Sequence, residues 1–537
     1  MSKRIKDPIY GYINIDEEYL KIVDSVYFQR LRYIIQTSYT SIYPSALHNR
    51  FTHSLGVYWL GNIAFDSLLF NSPEVKQSIT KSDLYNIKKT FILACLCHDL
   101  GHSPFSHTGE KFYNAKEIQQ QLILAVSNSK YKADLNYGKN IVGKEHEIMS
   151  ALLAIHKFGD IIGKANFSFF ARCITGLQYS AKSQLSKTER RRLPLYKACI
   201  ELLNSTIIDV DKLDYLIRDS YMSGYSSVSI DYQRLLGGVF VNDGEHPVGY
   251  EKSSLSVLES VLTAHDMERR WIQSHPIIQY EGYLLQTIIR EISSEYNTDG
   301  NQLLSLPALT EEGVELKDVG NIRLLSDADI LYLAKKKYKT SDAVKEYCDR
   351  SLRRHPIWKS EAEFSLLFDF KRNDTFVEII TNWEEKLLAG TYGVYSLNET
   401  FYEKLKEETE ILISLKNSIS NESQKTTLDK KISKLNIEIR LIEDIKNNLQ
   451  SQNIPFDLII ITQQQFKSNI YKSAFKELPI RFNIISNEIK QMKDASFLPS
   501  YTKENDIFFY LYYVRNDEKN PINVVDFSKA LRRAAVI

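Results

Sequence analysis

Four side chains in this sequence could hold a metal ion: His53, the adjacent pair His98-Asp99, and Asp211. The densest stretch is Cys97-His98-Asp99-Leu100-Gly101-His102-Ser103-Pro104-Phe105-Ser106-His107, directly after the apolar run Phe91-Ile92-Leu93-Ala94-Cys95-Leu96. Burying two polar side chains in a row costs several kcal/mol unless both are satisfied. Taken alone, the pair reads as a helix end, with Gly101 stopping the helix and Pro104 following it. Taken with His53 and Asp211, it reads as half of a metal site. Imidazole and carboxylate together suit a borderline or hard divalent ion such as Zn, Mn, Fe or Mg. Four protein ligands leave coordination positions open for water, as catalysis needs. Water on such an ion ionises near neutral pH, with a pKa near ~7 in the best zinc cases. That is the nucleophile a phosphoester hydrolase requires, alongside cations for the phosphate oxygens and an acid for the leaving group. Arg50 and Lys212 lie beside ligands, and His102, His107 and His146 lie nearby in sequence or expected space.

These residues need helices to position them. Asp16-Glu17-Glu18 opens a helix acid-first, as the helix dipole favours, and Leu20, Ile22, Val23, Val26 and Phe28 continue it towards Gln36. Arg30 and Arg32 are two apart and cannot share one of its faces. His48-Asn49-Arg50-Phe51-Thr52-His53-Ser54 leads into the apolar helix that begins Leu55-Gly56-Val57-Tyr58, and residues 83–98 form another. Residues 128–144 read as a surface loop, and Glu145-His146-Glu147 opens the next helix. The basic cluster Lys187 to Arg192 reads first as a solvated face and second as a phosphate contact. Residues 207–220 carry Asp209, Asp211, Asp214 and Asp219 on an otherwise apolar helix. A hairpin is expected around Asn242-Asp243-Gly244, then long helices over 252–295.

After about residue 360 the character changes. Leucine and isoleucine recur at three- and four-residue spacing through 400–450 without Pro or Gly, which predicts two antiparallel amphipathic helices turning near 418–421. Phe456 to Thr462 and Ile507 to Val514 read as buried strands, and Arg481 to Ile485 as a third. The expected fold class is mainly α, with a helical metal-site core over 1–360 and a smaller α+β region over 361–537 that contains the helical hairpin.

The chain has 537 residues, 43% hydrophobic and 25% charged, as in ordinary soluble globular proteins. Lys plus Arg (68) balances Asp plus Glu (67), so composition makes no case for a nucleic-acid or membrane partner. Five scattered cysteines form no disulfide framework, and a reducing cytoplasm fits them best. The N-terminus has no apolar core like that of a signal peptide. No apolar run approaches the ~20 residues that span a bilayer.

The ordered set Asp7-Pro8-Ile9-Tyr10-Gly11, Phe28 to Tyr33, His48 to Val57, Cys97 to His107 and Asp209 to Tyr215 resembles the H…HD…D signature of HD-domain phosphohydrolases. It is most similar to their deoxynucleoside triphosphate (dNTP) triphosphohydrolase branch, over roughly residues 5–360. The resemblance implies that His53, His98, Asp99 and Asp211 hold the metal. It implies that Arg50, Lys212 and Tyr215 bind the triphosphate, with Asn49 beside them. His107 would be the catalytic acid, and Glu110 its orienting acid where the family usually has Asp. His102 and His146 would lie near the phosphates, Gln36 would bond the sugar 3′-OH, and Asp219 would approach the sugar. Products would be a deoxynucleoside and inorganic triphosphate. Asp24, Gln29 and Arg32 match positions that read an activating nucleotide in some relatives, although Lys6 and Tyr12 replace the family's Asn and His nearby. A homo-oligomer, dimer to hexamer, is also implied. Two competing readings are another HD phosphohydrolase and a quiet nucleotide-sensing or partner-binding protein.

Overall fold

The computed structural model describes residues 2–37, 40–137, 143–180, 186–225, 229–296, 302–367, 374–464, 477–482, 488–492, 507–515 and 521–535. It is mainly helical with small sheets, and it divides into two compact units. The first comprises Met1–Ile272, Ile292–Leu333 and Lys467–Thr502; the second comprises Gln273–Glu291, Ala334–Phe466 and Lys503–Ile537.

The first unit is organised around the Arg50–Phe70 helix. Asn49 caps it by accepting the Thr52 amide at 3.1 Å, which satisfies one of the open donors of the first turn. Phe51, Leu55, Val57, Tyr58, Leu60, Ala64, Phe65 and Leu68 are all buried, so the helix is covered on nearly every side. The Lys81–Cys97 and Val210–Ser223 helices pack against it. Gly56 makes the second of these contacts possible: a Cβ there would lie 1.8 Å from Asp214 Oδ1. The Glu145–Ile162 helix packs against Lys81–Cys97, and Gly101 just beyond passes so close to it that a Cβ would sit 2.4 Å from the Ser150 amide nitrogen. Three small sheets complete the unit. Lys3–Asp7 pairs antiparallel with Gly11–Ile15, and Val314–Leu316 with Gly320–Ile322. The expected hairpin forms from Val239–Val241 and Val248–Glu251, and Pro479–Phe482 extends it in parallel, with Glu488–Gln491 at its edge.

The second unit is α+β. Its antiparallel sheet runs His355–Pro356, Ile507–Tyr513, Asp457–Gln464, Leu397–Asn398. Leu458 to Ile461 and Phe508 to Tyr513 are buried without alternation, as expected of strands covered on both faces. The helical hairpin is Glu399–Ser418 and Glu422–Ser451, turning where the periodicity places the turn. Trp383 is fully buried and donates its indole N–H to Glu438 Oε2 at 3.0 Å, while the buried Trp358 donates to the Phe509 carbonyl at 2.6 Å.

Two local expectations change. The first helix breaks at Asp24-Ser25, because the Ser25 hydroxyl caps a new helix, Val26–Arg30, by accepting the Phe28 amide. Ser129–Tyr137, expected as loop, is helical. Its Tyr131 and Leu135 are buried, and Asp134 forms a buried pair with Arg172 at 2.6 Å. Of the strand expected over Arg481 to Ile485, only Arg481 and Phe482 lie within the described residues. The cluster from Lys187 opens the Lys187–Leu203 helix behind a Ser186–Glu189 capping box, and Arg192 pairs with Asp83 at 2.6 Å. All five cysteines are free thiols, and among the described residues no helix is long and apolar enough to cross a membrane.

Candidate metal and phosphate site

Three helix ends bring the proposed ligands together. His53 sits in the first turn of Arg50–Phe70, His98 caps the end of Lys81–Cys97, and Asp211 opens Val210–Ser223. His53 Nε2 lies 2.9 Å from Asp211 Oδ1, 3.3 Å from His98 Nε2 and 3.6 Å from Asp99 Oδ2. His98 Nε2 lies 3.4 Å from Asp99 Oδ1 and 3.7 Å from Asp211 Oδ1. The adjacent pair is therefore both a helix end and part of a cluster, because the chain leaves the helix between the two residues. His53, His98 and Asp99 are buried, while the Asp211 side chain is 36% exposed and gives the cluster an open side.

The surroundings set which imidazole nitrogen faces the cluster. His53 Nδ1 lies 2.7 Å from Asp214 Oδ2, and Asp214 in turn accepts Arg218 through both oxygens at 2.9 and 3.0 Å. Arg218 Nη1 also reaches Asp7 Oδ2 at 2.9 Å. His98 Nδ1 faces the Cys95 carbonyl at 2.9 Å and must donate to it. Both rings therefore hold their Nδ1 protons on outer partners and turn Nε2 inward, the arrangement that orients metal-binding histidines. Burial works to lower the His53 pKa, but hydrogen bonds to Asp211 and Asp214 outweigh it and raise the ring to about 10. Burial likewise opposes ionisation of both carboxyls, yet Arg50 with His98 and His102 holds Asp99, and His53 with His98 holds Asp211, well below the usual range. The cluster demands positive charge between its carboxylates, and the donor set fits a divalent cation.

A second cluster of imidazoles follows on the chain. The His102 and His146 rings stack at 4.1 Å, and His107 meets them edge-on at 5.3 and 5.2 Å. Glu110 binds His107 Nδ1 at 2.9 Å and also binds His146 Nδ1. Burial pushes the Glu110 carboxyl up, but these two imidazoles hold it well below the carboxylate range, so it accepts from both rings. Their Nε2 atoms are left for a ligand. The His107 side chain is 56% exposed. His102 is fully buried, and burial and the Arg50 charge hold it neutral. Its Nε2 lies 3.1 Å from Asp99 Oδ1 without hydrogen-bond geometry, and neither ring nitrogen has a hydrogen-bond partner. The Gln36 Oε1 and His48 Nδ1 atoms are also buried and unpartnered.

Most of the remaining expected residues are already engaged. Arg50 binds Asp99 Oδ2 at 2.8 Å, Ser106 Oγ at 2.9 Å and the Gln36 carbonyl at 3.2 Å. Lys212 Nζ binds Asp209 Oδ2 and the Ser205 carbonyl, each at 2.5 Å. Tyr215 is half-buried; burial, then Glu268 and Asp211, raise its phenol. Asn49 caps a helix and donates to the Arg32 carbonyl at 3.2 Å. Asp214 and Asp219 could have been exposed acids, but both are buried, and Asp219 Oδ1 lies 2.6 Å from His48 Nε2. Asp24 pairs with Lys3 at 2.6 Å on the surface. Arg32 donates to Gln29 Oε1 at 2.8 Å and stacks over Phe51.

Sequence reasoning missed the supporting residues. Asp7, Asp214, Arg218 and His48 lie inside or beside the motifs, and the Asp214–Arg218 spacing of four is a helix-pair signal. Arg30 carries no such signal: it is buried on the carbonyls of Leu100, His102 and Leu325 rather than on an acid.

No protein-family profile matches the chain. It is 28% identical over 406 residues to an uncharacterised protein of Methanocaldococcus jannaschii, covering 75% of this chain and 67% of that protein. It is 32% identical over 299 residues to deoxynucleoside triphosphate triphosphohydrolase SAMHD1 of Bos taurus, covering 54% of this chain and 46% of the relative. The chain thus spans about half the length of the curated triphosphohydrolase it matches. In fold it is similar to the crystal structure of a phosphohydrolase from Bacteroides thetaiotaomicron, with TM-score 0.54, 19% identity, and coverage of 96% of this chain and 100% of that one. With its motifs in order and the candidate ligands brought together, the chain is similar to the deoxynucleoside triphosphate triphosphohydrolases of the HD-domain family.

Proposed function

We propose that this protein hydrolyses dNTPs to a deoxynucleoside and inorganic triphosphate. The observation that carries the reading is the convergence of His53, His98, Asp99 and Asp211 beside a second cluster, His102, His107 and His146, organised by Glu110. The two features supply the two needs of phosphoester hydrolysis, an activated water and a set of charged or donor groups for the phosphate chain. His53, His98, Asp99 and Asp211 would hold a divalent ion, which supplies charge neutralisation and a lowered water pKa.

The protein's own residues do the rest. Asp214, Arg218 and Asp7 hold His53 in orientation. His107 donates a proton from Nε2 to the bridging oxygen while Glu110, at Nδ1, stabilises the charged ring. His102 and His146 face the phosphates, joined by Tyr215, and by Lys212 and Arg50 when these donate to phosphate oxygens as well as to their present partners. Gln36 Oε1, buried without a partner, accepts from the sugar 3′-OH. Asp219, held by His48, borders the sugar. An activating nucleotide at Asp24, Gln29 and Arg32, a homo-oligomer and a cytoplasmic location belong to the same reading, and the free thiols fit a reducing compartment.

The test is incubation of the purified protein with each dNTP and Mg or Mn, singly and in mixtures, with products separated by ion exchange. Triphosphate release is the expected result. Release of pyrophosphate or monophosphate would move the reading to another HD phosphohydrolase, and metal binding without turnover would mark a sensor.

A further inference from the structure

One carboxylate far along the chain ties together two segments that carry site residues. Asp327 opens the Asp327–Lys336 helix. Its Oδ2 accepts the Ile35 amide at 2.8 Å, and its Oδ1 accepts the Phe105 amide at 2.7 Å. Ile35 precedes Gln36, whose carbonyl receives Arg50. Phe105 lies two residues before His107 and begins a strained turn. Phe105 has φ 57°, and Ser106 has φ 52° with ψ −126°, a combination that non-glycine residues rarely adopt. Such strain persists only where the surroundings hold it.

The surroundings here form one hydrogen-bonded knot. The Ser106 hydroxyl donates to the Ile35 carbonyl and receives Arg50 Nε. Arg30 joins the carbonyls of Leu100 and Leu325, at 3.3 and 2.8 Å. Asp327 is the member that accepts from both segments through its side chain. Neither contact touches a metal ligand.

We propose that Asp327 is a positioning residue for the reaction read above: it sets the distance between His107 and the segment that carries Gln36. The inference rests on that reading for its effect on turnover, and on the two hydrogen bonds for its effect on the loops. Misplacing reacting groups by about 1 Å from a remote position costs up to ~10²-fold in rate.

The experiment compares Asp327→Asn with Asp329→Asn. Asn at 327 keeps one acceptor oxygen and turns an NH2 on the other amide. Asp329 serves as control because it caps its own helix through Ser326 and touches neither segment. Three readouts are taken well below the unfolding temperature: kcat and KM for triphosphate release, Mn affinity by calorimetry, and amide exchange at Ile35 and Phe105. For Asp327→Asn the expected result is a fall in kcat of about 10- to 100-fold. Mn affinity should stay within about threefold, and exchange should be faster at one or both amides. Asp329→Asn should change kcat by less than about twofold. Unchanged exchange at both amides overturns the inference whatever the turnover. So does an unchanged kcat in an active protein, or a kcat that falls only in proportion to lost Mn binding. A wild-type protein that releases no triphosphate defeats the functional reading instead, and the exchange data then decide the positioning claim alone.

Discussion

Replacing Asp214 by Asn keeps the side chain's size and removes its charge. The residue is fully buried and accepts three contacts: His53 Nδ1 at 2.7 Å and Arg218 at 2.9 and 3.0 Å. The amide has one acceptor oxygen for donors on both sides, so its NH2 must face either the imidazole or the guanidinium. Arg218 retains Asp7 at 2.9 Å but loses the carboxylate that it binds through two nitrogens. Removing one partner of a buried ion pair costs about 3–5 kcal/mol, and since Asn keeps part of the bonding the expected loss is roughly 2–4 kcal/mol at pH 7. Acid gives an independent measure. Burial works against ionisation, but Arg218 and His53 outweigh it and hold the Asp214 carboxyl at about 2, below its unfolded value. A depressed carboxyl stabilises the fold above the unfolded value, and that stability is lost as pH falls through the folded one. The wild type should therefore lose about 2–3 kcal/mol between roughly pH 5 and pH 1 that the variant does not lose. His53 also loses its orienting acceptor, so Mn affinity should fall by about 10- to 100-fold. Urea unfolding across pH and calorimetric Mn titration read these effects. Wild-type Mn affinity together with wild-type stability at pH 7 would refute the reasoning, because it would mean that Asp214 neither orients His53 nor offsets Arg218.

Three further outcomes are expected. His107→Ala should leave Mn binding intact and lower kcat by about 10²-fold or more; loss of Mn would make His107 a ligand, the behaviour expected instead of the His98→Ala, Asp99→Ala double variant. Because His53 titrates at about 10 without metal, a bound ion must displace its proton. His98 is raised as well, its burial outweighed by Asp99 and Asp211, so Mn binding at pH 7 should release at least one proton, seen by calorimetry in buffers of different ionisation enthalpy, and affinity should rise about tenfold or more per pH unit between 6 and 8. Gly56→Ala would place a Cβ 1.8 Å from Asp214 Oδ1, so thermal unfolding should show a loss of about 1–3 kcal/mol, and Mn affinity should fall with it.

Some of this protein was legible before any coordinates. The apolar runs at 91–96, 458–461 and 507–513 announce buried elements because burial on all sides requires unbroken hydrophobicity. The 400–450 hairpin shows itself by spacing, since an amphipathic helix repeats its apolar residues locally. The candidate ligands are legible by chemical type: a buried His-Asp pair asks for a cation, and the ordered motifs supply the partners. Tertiary structure decided what those residues touch. That Arg50 lies on Asp99, that Asp214 rather than a carbonyl holds His53, and that the Ser129–Tyr137 helix sets Asp134 on Arg172 depend on partners brought from other elements. Asp327 meets Phe105 from 222 residues away and Ile35 from 292. Local periodicity records which face of an element is covered. It holds no record of what covers it, because a hydrogen bond between distant residues depends on the path of the whole chain.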